Sequence, residues 1–209
     1  MRFHLGSFPE SADFIPDNSW RSFDDKEQPV WIWQLKAFPV AIINMIVIIL
    51  SWMIFTSAVG ILKSITFPLP IVGFLICLVG VLIIHELIHV AVHPMSGFST
   101  RSIIGFWPSR MLLYAAYDGE INRNRYLAIL IIPFILISII PILIAAVAPI
   151  VNLWIVYITI LNAFLASGDV LAAITILKLP TNAIIRSHGN TAHWKENVNI
   201  DKPRKVVNL

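Results

Sequence analysis

The sequence predicts an all-α polytopic membrane protein: four transmembrane helices, with a short cytoplasmic β-hairpin-like loop between the second and third. Three observations predict it. The 209 residues are 57% hydrophobic and only 13% charged, whereas a soluble domain is about a quarter charged and less than half apolar. Mean hydropathy is +0.80. Four stretches also reach the roughly 20 apolar residues that a helix needs to cross a bilayer.

Residues 1–36 are polar and mixed in charge (SADFIPDNSWRSFDDKEQ), with no apolar run before Trp31. A cleavable signal peptide would need such a run, so the first span is expected to act as an uncleaved signal. The first span runs from Ala37 to Ile61, with Trp31 and Trp33 before it as an interfacial belt. Pro68 and Pro70 separate it from the second, Ile71 to His93. The third, Tyr126 to Ile150, contains Pro133 and Pro141, which kink rather than break a helix in lipid. A tight connection at Pro149 and Asn152 leads to the fourth, Leu153 to Leu177. The membrane domain is thus 37–177, and 178–209 is a cytoplasmic tail.

Basic residues alternate between sides. The N-terminal segment carries Arg2, Arg21, Lys26 and Lys36; the first loop has only Lys63; the second has Arg101, Arg110, Arg123 and Arg125. The third has none, and the tail has Lys178, Arg186, Lys195, Lys202, Arg204 and Lys205. The positive-inside rule then places both termini and the second loop in the cytoplasm. Within that loop, Arg101–Phe106 and Met111–Tyr117 read as two strands turning at Trp107–Arg110. Their edge would suit an extended peptide; the alternative is an interfacial loop anchored by Trp107 and Tyr114.

Composition excludes other classes. The net charge of +3 forms no clustered basic face interleaved with aromatics, which a nucleic-acid partner would need. The one cysteine, Cys77, can form neither an internal disulfide nor a cysteine metal site.

Inside the four spans the strongly ionisable residues are His85, Glu86, His89 and Asp169. Each charge at that depth costs about 2.5–3.5 kcal/mol, so these groups are expected to meet. His85 and His89 are four residues apart, one turn on one helix face, and two imidazoles there suit one metal ion. Glu86 flanks that face and can hold the attacking water: the H-E-x-x-H arrangement, with the glutamate as general base.

A catalytic zinc usually takes three protein ligands. His93, Glu120, Asp169, His188 and His193 are the candidates. His93 lies about 12 Å along the axis from His85, too far for one ion. Glu120 sits in the turn-like YDGE, and His188 and His193 lie in a polar tail facing water. Asp169 matches by depth, since it and His85 each precede the cytoplasmic end of a span by eight residues. Asn162, two turns before Asp169, could bond substrate backbone or a neighbouring helix. Gly168 would allow close approach of the second helix or of substrate.

HELIH on one membrane helix, with NAFLASGD on a later one, resembles the site-2-protease type of intramembrane metallopeptidase. More narrowly, the chain is similar to small bacterial zincin membrane proteins of the DUF3267 type. The resemblance implies zinc ligands at His85, His89 and Asp169 and a catalytic base at Glu86. Site-2 proteases usually carry Asn-x-x-Pro leading into Leu-Asp-Gly. Here Asn162 lacks that proline, and the glycine precedes Asp169. The expectation is a zinc peptidase of the cell membrane, read as a bacterial plasma membrane, acting on a transmembrane or membrane-associated protein near the cytoplasmic leaflet. The alternatives are a catalytically silent membrane metal-binding protein and a metal or proton transporter.

Overall fold

The computed structural model describes residues 1–11, 13–23, 29–55, 71–148 and 152–197. Lys26, Ile61, Lys63, Pro68, Pro70, Pro149, Ile150, Lys202, Arg204 and Lys205, named above, lie outside the described residues.

Helix α1 is Val30–Phe55, seven residues earlier at its start than expected. Its buried residues, Ala37, Ala41, Asn44, Ile48 and Trp52, recur every three or four positions and form one stripe. Helix α2 is Ile71–Val92, with Val81, His85, His89 and Val90 buried. The third span is α3 (Arg123–Phe134), a π turn (Ile135–Ile139) and α4 (Ile140–Val147). Pro133 and Pro141 flank the π turn. Each removes a backbone donor, and across the turn the Ile140 N–H reaches back to the Ile135 carbonyl, one residue further than in an α-helix.

The expected fourth span is two helices, α5 (Leu153–Leu165) and α6 (Ser167–Leu177), bent by 50°. The break falls at Ala166, directly before Ser167 and Gly168, a Gly/Ser pair of the kind found at helix kinks. Three units (α1, α2 and α3–α4) are long and apolar enough to cross a membrane, and α5–α6 makes a fourth if taken as one span.

The all-α class is too narrow, because segments outside the long apolar helices build two sheets. The first has the order β1 (Arg2–Leu5), β3 (Ser102–Trp107), β4 (Leu112–Tyr117). Strand β1 runs parallel to β3, and β4 antiparallel to it, from Ser102↔Tyr117 to Trp107↔Leu112. The hairpin strands therefore fall within a residue of their expected places. A Cβ at Gly105 would collide with the Tyr114 ring across the pair. The second sheet has the order β2 (Arg21–Ser22), β7 (Thr191–Glu196), β6 (Ala183–His188), β5 (Ile121–Asn122). A two-residue loop, Gly189–Asn190, joins β6 to β7, with Gly189 at φ 55, as a hairpin turn opening on glycine requires.

Water does not drive helix packing in lipid, so small residues and interhelical hydrogen bonds carry it. Ala37, Ala41, Ala145, Ala163 and Ala173 are all buried. Ile48, Trp52, Ile142, Ala145, Val156 and Ala163 form one core between α1, α4 and α5. A second, of Leu130, Ala173, Ile176 and Ile185 with Tyr126 and Trp194 against it, fastens the four-stranded sheet to the bundle.

Candidate metal centre

Helices α2 and α6 bring His85, His89 and Asp169 together. His85 Nε2 lies 3.0 Å from Asp169 Oδ2, His89 Nε2 lies 3.4 Å from the same oxygen, and the two Nε2 atoms are 3.1 Å apart. Both rings are buried, and the Asp169 side chain is 23% exposed. Asp169 stands in the first turn of α6, where the helix N-terminus favours a carboxylate. The break at Ala166 creates that N-terminus inside the bundle.

The direction of each proton can be followed inward from the surrounding bonds. Ser138 Oγ donates to the Thr159 carbonyl (2.9 Å), so it accepts from Asn162 Nδ2 (2.9 Å). Asn162 Oδ1 therefore faces His85 Nδ1, at 2.8 Å, and accepts its proton. His89 Nδ1 lies 2.8 Å from the Ile129 carbonyl oxygen, which can only accept. Both rings thus carry their proton on Nδ1 and turn an Nε2 lone pair toward the carboxylate. Three acceptors converge with no donor among them. A cation must sit there: one extra proton on a ring, or a metal ion.

The spacing fits a metal. The edge of a tetrahedron drawn at zinc–nitrogen length is about 3.3–3.4 Å, and the three separations are 3.0, 3.1 and 3.4 Å. The buried Nδ1–H groups held by an amide and a carbonyl are the outer bonds that metal-ligating histidines make. The Glu86 carboxylate, half-buried on the flank of α2, accepts a hydrogen bond from the Ala115 backbone N–H of β4. Within its sheet, β4 pairs only with β3, so its other edge is turned toward α2 and Glu86.

The family model described as "Putative zincin peptidase" (DUF3267) matches residues 78–184, just over half of the chain. The chain belongs to this family. No curated protein and no solved structure matches it. The broader likeness to site-2 proteases rests on the sequence motifs alone.

The matched region of this zincin-family chain holds the HELIH helix, Asn162 and Asp169. Asn162 is fully buried and binds a neighbouring helix, the second of its two expected roles: its amide also reaches the Pro133 carbonyl at 3.4 Å. The other expected candidates lie elsewhere. His93 is buried against the Tyr117 ring, Glu120 pairs with Lys195 at 3.0 Å, and His188 and His193 flank Phe14. The last two lie half-buried in a hairpin, not in a solvated tail, because Phe14 folds over them. Gly168 faces Trp33 of α1, with its nearest atom 3.8 Å from where a Cβ would stand; glycine is not needed there for close approach.

Two residues counted only as loop charges also hold the site. Arg125, on α3, donates to the carbonyls of Val92 and His93 at the end of α2 (3.1 and 2.8 Å). Arg123 donates to those of Ile176 and Leu177 at the end of α6 (3.1 and 2.8 Å). Cations at helix C-termini are favourable. Here one turn of α3 sets the level of both ligand-bearing helices.

Proposed function

We propose that this chain is a zinc-dependent intramembrane peptidase of the H-E-x-x-H type, cleaving a membrane-associated polypeptide near the cytoplasmic leaflet. One observation carries the reading: three acceptors, two of them on buried imidazoles, at tetrahedral spacing with no donor among them, beside a carboxylate. His85, His89 and Asp169 would hold the ion. Zinc bound there supplies Lewis-acid polarisation of a carbonyl and makes water a nucleophile at neutral pH. Asn162 and the Ile129 carbonyl hold the two imidazoles in place. Glu86 takes the proton from the attacking water and delivers it to the leaving amine. The open edge of β4 suits an unwound substrate segment added as a strand beside Glu86. The distribution of lysine and arginine supports a cytoplasmic position for this sheet and for both termini.

Three ligands among the described residues, not the four of a closed structural site, favour a position left for water. That weighs against a silent metal staple. The absence of acid, lysine and arginine from the outer parts of the spans weighs against a transporter. The test is Glu86→Gln in the full chain, reconstituted in vesicles with a helical transmembrane reporter. Zinc content should stay at the wild-type level while cleavage disappears. Undiminished cleavage by that variant would remove Glu86 as base, and zinc-free wild type would remove the metal.

A further inference from the structure

We infer that Pro133 is a positioning residue for the metal centre: by withholding one backbone N–H, it reserves the Ile129 carbonyl for His89. The inference rests on the metal reading proposed above. In an α-helix the N–H of each residue donates to the carbonyl four residues earlier. Position 133 lies inside α3 and is proline, so the Ile129 carbonyl has no partner at that place in the ladder. The proline ring also crowds that carbonyl and tilts it away from the axis. Ile129 is buried, at 7% exposure, out of reach of water. His89 Nδ1, at 2.8 Å, takes the vacated oxygen.

That bond decides which nitrogen of His89 is available. A carbonyl accepts only, so the proton stays on Nδ1 and the lone pair of Nε2 points at Asp169 and His85. Pro133 reaches the other ring as well. Its own carbonyl accepts from Asn162 Nδ2, 3.4 Å away, and this helps fix the amide whose oxygen holds His85 Nδ1. One residue thereby touches both orienting bonds. An amide N–H restored at position 133 would compete with His89 for Ile129.

Pro141 supplies the control. It lacks the same donor in the same span, beyond the π turn, and neither ligand histidine bonds to its turn of helix. The experiment compares the full-length wild type, Pro133→Ala and Pro141→Ala in detergent. Zinc affinity is read by competition with a chelator, site geometry by the cobalt absorption spectrum, and folding by circular dichroism. The expected result is a folded Pro133→Ala protein whose zinc affinity is down about tenfold or more. Its cobalt bands should be altered, with Pro141→Ala matching the wild type. Equal binding and an unchanged cobalt spectrum in Pro133→Ala would overturn the inference, as would the same loss in Pro141→Ala. If Pro133→Ala does not fold, nitrogen NMR of zinc-loaded wild type decides. Zinc on Nε2 and the proton on Nδ1 of His89 support the inference, and the reverse overturns it. A wild type that binds neither zinc nor cobalt overturns the metal reading, and this inference with it. A wild type that binds while Pro133→Ala binds equally well with the same cobalt spectrum overturns this inference alone.

Discussion

Two polar clusters differ in their charge balance. Outside the bundle, Arg186 Nη2 lies 2.5 Å from Asp13, 2.8 Å from Ser11 Oγ and 3.6 Å from Asp118, and Arg2 lies 2.8 Å from Asp118. Two guanidinium groups meet two carboxylates; Ser11 also donates to Asp118, and Arg186 lies over the Phe14 ring. The charges of that cluster balance, and it ties the N-terminal segment to the β6–β7 hairpin. Inside the bundle, Asp169 and Glu86 stand with two imidazoles whose protons are already committed to Asn162 and Ile129. The deficit is one of donors: three lone pairs, one of them on the Asp169 carboxylate, face one another, which suits a metal cation. A polar cluster in which opposite charges meet is structural. One that leaves acceptors facing each other is built for something else.

The largest effect should come from removing that deficit. Asp169→Asn exchanges an acceptor for a group that can donate its amide N–H to the Nε2 lone pairs. The cluster would then satisfy itself without a cation. Zinc affinity should fall by about a hundredfold or more, beyond what the loss of an outer hydrogen bond costs. The metal-free variant should melt no lower than metal-free wild type. A variant that still binds one zinc per chain at wild-type affinity would show that the carboxylate is not a ligand.

The converse change tests the outer cluster. Arg186 is 9% exposed, and Arg186→Ala would strip Asp118 of one cationic neighbour and Phe14 of its cover. Breaking a buried pair on one side is destabilising, and a fall in Tm of about 5 °C is expected. Zinc affinity should not change. Loss of zinc at a temperature where the variant is still folded would mean that the two clusters are coupled, against the division drawn here.

The two regions also differed in how far the sequence revealed them. The metal cluster was legible because its cost is visible: four ionisable residues within otherwise apolar spans, two of them four apart and a third at matching depth. Its outer bonds were less so. The Ile129 carbonyl has no side-chain identity, and a proline in a span reads as a kink before it reads as a freed acceptor. The bend beside Asp169 had a signal, the Ser167–Gly168 pair, that the even hydropathy of Leu153–Leu177 concealed. The outer sheet was hidden for a different reason. Its strands β2 and β5 have two residues each and pair with partners far along the chain. Only the Gly189–Asn190 turn between β6 and β7 marked it locally. The β3–β4 hairpin, whose partners are adjacent in sequence, was found.

The smallest effect concerns the pH response of the outer cluster. The Ser11 hydroxyl holds Asp13 below its ordinary 3.8; burial opposes it, and the Arg186 guanidinium adds to the lowering. A carboxylate more acidic in the folded chain than in the unfolded one stabilises the fold when both forms are ionised. Its contribution is therefore fully present above the ordinary value and is lost as pH falls below 3.8 through the lowered one. Because the Asp13 side chain is 65% exposed, solvent screens the pair and the contribution is small. Asp13→Asn should lower Tm by only about 1–2 °C at pH 6, and the gap to wild type should close as the pH drops below 4. A gap that stays constant into the acid range would show that the Asp13 charge contributes nothing, leaving Asp118 and Ser11 as the partners that hold Arg186.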